Sequence, residues 1–112
     1  MEESSLKHYA LRQTKEIASE TKTMKLKYYI VENVLAGSTY YGVAIEQYDS
    51  QGQDFVLASE DAVTGITYSH ETIEGITEYL ANHTVTPSTL IATLSDIEGS
   101  IDLEANAAVF AI

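Results

Sequence analysis

From Met24 to Val31 the side chains change character at every residue, Met24, Leu26, Tyr28 and Ile30 alternating with Lys25, Lys27, Tyr29 and Val31. A period of two sends neighbours to opposite faces of an extended chain, so this run predicts a strand with one face turned to a core. Tyrosine, isoleucine and valine favour that state. Ala36-Gly37-Ser38 supplies a turn, and Thr39 to Tyr48 resumes the alternation with Tyr41, Val43 and Ile45 on one side, which predicts a hairpin. Asp49-Ser50-Gln51-Gly52 reads as a second turn, followed by a third strand from Asp54 to Ser59 and a weaker extended piece from Ala62 to Thr67.

At Ser69 the period lengthens. Ile73, Ile76 and Leu80 recur at spacings of three and four, the pattern of an amphipathic helix, with Ser69 placed to cap it and Glu71 and Glu74 near its positive end. Thr86-Pro87 starts a second helix with Leu90, Ile91, Leu94 and Ile97 as its apolar stripe, and Gly99 is the expected stop. Strands followed by helices predict an α+β fold: a small antiparallel sheet of three or four strands, then two helices packed on one of its faces. The domain occupies residues 24–100. Residues 1–23, polar and without firm periodicity, are expected to be a mobile or partly helical arm, dispensable for folding, and residues 101–112 an apolar tail.

The strands Tyr28-Tyr29-Ile30-Val31-Glu32 and Tyr41-Gly42-Val43-Ala44-Ile45, with Asn82, Val85-Thr86-Pro87 and Leu90 behind them, resemble a family of short uncharacterised bacterial proteins known only as a domain of unknown function. The resemblance covers about residues 26–98. It departs from the family pattern at Thr89, where that pattern carries a histidine before the leucine of the second helix. It implies the same order of elements and a bacterial source, and it brings no activity or catalytic residue with it.

Charge narrows the choice of function. The chain carries a formal −11, yet all six lysines and arginines fall in the first 27 residues, and residues 28–112 hold 13 of the 17 carboxylates with no lysine or arginine. Nucleic-acid binders present a basic surface that displaces counterions, so direct binding to DNA or RNA is not expected. The absence of cysteine removes disulfides, thiolate catalysis and cysteine-held metals. No apolar run approaches the length of a membrane span and residues 1–23 are polar, so no membrane contact is expected and the cytoplasm is the expected compartment.

Candidate chemistry is thin. His70, Glu74 and Glu78, with Glu71 beside them, share a helical face at spacings that can hold a divalent ion, but no third ligand off the helix is marked, and an acidic solvent face explains them better. Ser69 and His70 are adjacent, which does not make a hydrogen-bonded nucleophile and base, and no phosphate-binding glycine pattern occurs. No catalytic residue, cofactor or metal is assigned, and the chain is not expected to be an enzyme.

The most unusual feature of composition is eight tyrosines with no tryptophan and two phenylalanines. If Leu26, Tyr28, Ile30, Tyr41, Val43 and Ile45 face the helices, alternation sends Tyr29, Val31, Tyr40, Ala44 and Tyr48 to the other side, with Lys25, Lys27 and Glu46 around them. An apolar centre with a charged margin is how a protein contact is built. The expected function is therefore a small non-enzymatic interaction or regulatory module whose partner is another protein or a second copy of itself, in a homodimer. The rival readings are an acidic nucleic-acid mimic that inhibits a nucleic-acid-binding protein and a small metal-dependent hydrolase using the His70 face.

Overall fold

The computed structural model describes residues 5–100, with side chains from His8 to Ile97. Four strands, β1 (Ser5–Ala18), β2 (Thr23–Leu35), β3 (Ser38–Gln51) and β4 (Asp54–Thr67), form one antiparallel sheet in the order β1-β2-β3-β4. Two helices follow, α1 (His70–Asn82) and α2 (Leu90–Ser100), the second led in by a single 3₁₀ turn from Pro87 to Thr89. The fold is α+β, as the change of period implies. The apolar tail expected over 101–112 lies outside the described residues.

Tight turns make the hairpins. Ala36 and Gly37 join β2 to β3 with φ of 54° and 82°, and two consecutive positive φ values give the turn whose twist matches that of the flanking strands. Gly52, at 68°, opens the next two-residue turn. Ser19 closes the first hairpin, its amide and hydroxyl both donating to the Lys22 carbonyl at 2.8 and 2.9 Å.

Alternation in β2 and β3 does what its period requires. Leu26, Tyr28, Ile30, Val43 and Ile45 are buried in a single core against Ile73, Ile76 and Leu80 of α1 and Leu90, Leu94 and Ile97 of α2. The polar end of Tyr28 is not stranded in this core, because its hydroxyl donates to the Val85 carbonyl at 2.8 Å and so ties the central strand to the connection between the helices. Ser69 caps α1, accepting from the Thr72 amide at 3.1 Å. At the second start the acceptor is Thr89, whose hydroxyl takes the Thr86 amide at 3.2 Å. Gly99 does not stop α2, which continues to Ser100.

Two expectations are corrected. The segment 1–23, expected as a mobile or partly helical arm, contains β1, which pairs with β2 along its whole length from Ser5 opposite Leu35 to Ala18 opposite Thr23. It is also fastened to α1. The Arg12 guanidinium donates to Glu74 Oε1 at 2.9 Å, and Lys15 Nζ donates to the Ala81 carbonyl and to Thr84 Oγ1, both at 2.8 Å. The weak piece from Ala62 to Thr67 is not a separate strand but the second half of β4, beyond an irregularity in its pairing.

With β1 part of the sheet and anchored to α1, deleting residues 1–22 should lower the melting temperature by more than about 8 °C, the most that 1 kcal/mol does in a domain of this size. A truncated chain that melts closer than this to the intact one would remove β1 from the cooperative unit.

Candidate functional site

Because both helices lie on one side of the sheet, the described residues leave the other face open. Strand register places Tyr9 and Leu11 of β1, Lys25, Lys27, Tyr29, Val31 and Leu35 of β2, Tyr40, Ala44, Glu46 and Tyr48 of β3, and Leu57, Glu60 and Ala62 of β4 on this side. Tyr68, just past β4, joins them through its ring, 4.8 Å from that of Tyr40. Five of the eight tyrosines thus share one surface. All five positions expected at a contact, Tyr29, Val31, Tyr40, Ala44 and Tyr48, are on it, but they do not play the same part.

Val31 is fully buried and Ala44 nearly so, although neither faces the helices. The cause lies across the sheet. Val31 pairs with Gly42, and the position that a Cβ on Gly42 would take is filled by the backbone of Val63 and Thr64, where β4 bulges over β3. Gly42 lets β4 close over this part of the sheet, so Val31 and Ala44 are the floor of the face and not its contact surface. The solvent side consists of residues that the spacing did not single out: Tyr9, Leu11, Leu35, Leu57 and Tyr68, each 42% to 54% exposed. Two of these, Tyr9 and Leu11, sit on β1, inside the segment expected as an arm.

Glu46 organises the middle of the face. The hydroxyls of Tyr29 and Tyr48 both donate to its Oε1, at 2.7 and 2.8 Å. Burial, followed by the bond to the Glu46 carboxylate, raises the Tyr29 phenol well above its ordinary value, and the same carboxylate is the main reason the Tyr48 phenol is raised. Tyr9 meets Tyr29 edge to face with centroids 6.3 Å apart. The lysines are occupied as well, Lys27 lying 5.1 Å from the centre of the Tyr48 ring and Lys25 4.2 Å from that of Phe55 and 3.9 Å from Glu16 Oε2. A hollow of about 270 Å³ opens between Tyr9, Tyr29, Glu46 and Glu60.

On the helix side, the acidic face of α1 is not left to solvent as a free ligand set. Glu74 receives Arg12 on one oxygen and stands 3.4 Å from His70 Nε2 on the other, while the His70 ring rests edge-on against Tyr41 with centroids 5.3 Å apart. Glu74 therefore acts as the anchor of β1. Among the described residues no group of three or more histidines and carboxylates is arranged to hold a metal ion, and no helix is long and apolar enough to cross a membrane.

A family model described as a family of unknown function (DUF6514) matches residues 8–100. The chain belongs to this family. The match begins well before residue 26, where the resemblance in the strands and helices starts, and takes in most of β1, in keeping with the place of that strand in the sheet. No curated protein and no solved structure matches the chain.

Two outcomes follow from this geometry. Gly42→Ala should destabilise the fold by at least about 2 kcal/mol, because the added methyl meets backbone that cannot turn aside as a side chain could. A denaturation midpoint equal to that of the unmodified chain would show that the bulge closes without the glycine. In alkaline titration, tyrosinate absorbance should show the Tyr29 and Tyr48 phenols ionising at lower pH in Glu46→Gln, since an amide does not repel a phenolate, while Tyr28, pushed up to about 12 by burial, stays where it was. Raised phenols favour the folded state up to the unfolded value near 10, and that stability is lost as pH climbs through the folded values. The alkaline fall in stability should therefore be shallower in the variant, and titration curves that superimpose would sink the assignment.

Proposed function

We propose that the chain is a non-enzymatic protein-interaction or regulatory module that works through the open tyrosine face. One observation carries this reading: five large apolar or aromatic side chains, Tyr9, Leu11, Leu35, Leu57 and Tyr68, stand half-exposed on one face of the sheet. A sheet face that only meets water is normally polar, and large apolar side chains exposed along one face point to a contact. Tyrosine suits such a surface because its ring brings area and its hydroxyl stays hydrated until covered. The partner is protein rather than nucleic acid, because a chain of net charge −11 repels a phosphate backbone.

The test uses paired substitutions on the two faces. Leu11→Glu with Tyr68→Lys alters the open face at exposed positions and leaves net charge unchanged, whereas Ile91→Glu alters α2 at a position 61% exposed. Tagged chains returned to the host that encodes them should lose their captured proteins with the first pair of changes and keep them with the second. Equal capture by both variants would place the working surface elsewhere.

A further inference from the structure

We infer that the occupant of the open face is a second copy of the same chain, the two sheets packing face to face across a two-fold axis. The inference rests on the reading of this face as a protein contact and adds the identity of the partner.

Charge is the first argument. A chain carrying −11 should repel its own copy, yet the described charged side chains that register places on this face are Lys25 and Lys27 against Glu16, Glu46 and Glu60, a net of −1, or −2 with Asp61, which lines the hollow beside Glu60. Most of these are already engaged within the chain, Lys25 with Glu16 and Phe55, Lys27 with the Tyr48 ring, and Glu46 with two phenols. Of the other described carboxylates, Glu71, Glu74 and Glu78 lie on α1, across the sheet from this face and about a Debye length, roughly 8–10 Å, away from it. A basic partner, such as the protein that a nucleic-acid mimic would occupy, should be drawn to that acidic side and has little to hold on this one. A face with almost no net charge on a strongly acidic body fits a copy of itself, because the same near-neutral patch then meets its equal.

Size is the second. Strands of 13 or 14 residues at about 3.3 Å per residue, four abreast at about 4.8 Å, make a face of roughly 850 Å². About 800 Å² per partner is what a specific interface of standard size buries. Two such faces stack about 10 Å apart in a sandwich, with Tyr9, Leu11, Leu57 and Tyr68 interdigitating over the floor made by Val31 and Ala44.

Sedimentation equilibrium on the intact chain, from low to high micromolar concentration, reads the outcome directly. The mass of the unmodified chain should rise to that of a dimer. Leu11→Glu with Tyr68→Lys should weaken association by at least about 30-fold, as loss of contact anchors does, while its dilute melting temperature stays put. Ile91→Glu should remain dimeric. A chain that stays monomeric at the highest concentration overturns the inference, as does a dimer indifferent to the paired change. A chain lacking residues 101–112 that dimerises where the full chain does not would show that its own tail covers the face, again against a copy as occupant. If the intact chain is monomeric but still captures another protein through this face, the contact reading survives and only the identity of the partner falls. If capture too is indifferent to the face, both fall.

Discussion

Two helices of 13 and 11 residues can cover one face of this sheet and not both. Helices rise about 1.5 Å per residue and strands about 3.3 Å, so α1 spans roughly 20 Å beside strands of more than 40 Å. The chain concentrates its aliphatic residues on the side the helices reach. Leucine, isoleucine and valine of β2 and β3 meet isoleucine and leucine of α1 and α2 there, and Tyr28 spends its hydroxyl on Val85. The opposite side mixes tyrosine, lysine and glutamate, which tolerate partial hydration, with the exposed Leu11, Leu35 and Leu57.

The crowding of basic residues at the beginning of the sequence has a local cause. α1 has an acidic first turn and no basic residue in its last, so its C-terminal carbonyls lack a cation of their own. β1 supplies it. Lys15 reaches the Ala81 carbonyl and Arg12 the Glu74 carboxylate, and a single edge strand is thereby clamped to the helix at two levels. These are ties between an acidic helix and the first 27 residues, which hold every lysine and arginine of the chain, and they make β1 structural and not a detachable tether.

Where the period of two is unbroken, as from Met24 to Val31, the strand and its inner face were legible, and the switch to spacings of three and four marked α1 as clearly. β1 escaped for two reasons. An edge strand bears Lys, Arg and Gln that blunt its exposed side, and the pairing slips between Leu11 and Gln13, so residues on the two sides of Arg12 fall out of phase. The second half of β4 was faint for the same reason, its pairing skipping from Val63 to Thr67 where the backbone of Val63 and Thr64 closes over Gly42. Parity alone could assign Val31 and Ala44 to the open side but could not reveal that β4 closes over this part of the sheet at Gly42. The contribution of Tyr9 and Leu11 to the face was invisible until β1 was a strand.

The same bulge and the same carboxylate determine how the face could work. Gly42 admits the backbone of β4, which seals the floor, and Glu46 fixes two tyrosines by one oxygen, with Tyr9 set against Tyr29. Ordering a loose side chain at an interface costs about 0.5–1.5 kcal/mol, and side chains already held by hydrogen bonds and ring contacts escape most of that cost. Tyrosine has few torsions to lose in any case. A surface with a closed floor, fixed phenols and little net charge is ordered in the free chain, so a partner on it would be selected by fit more than by the order it had to impose.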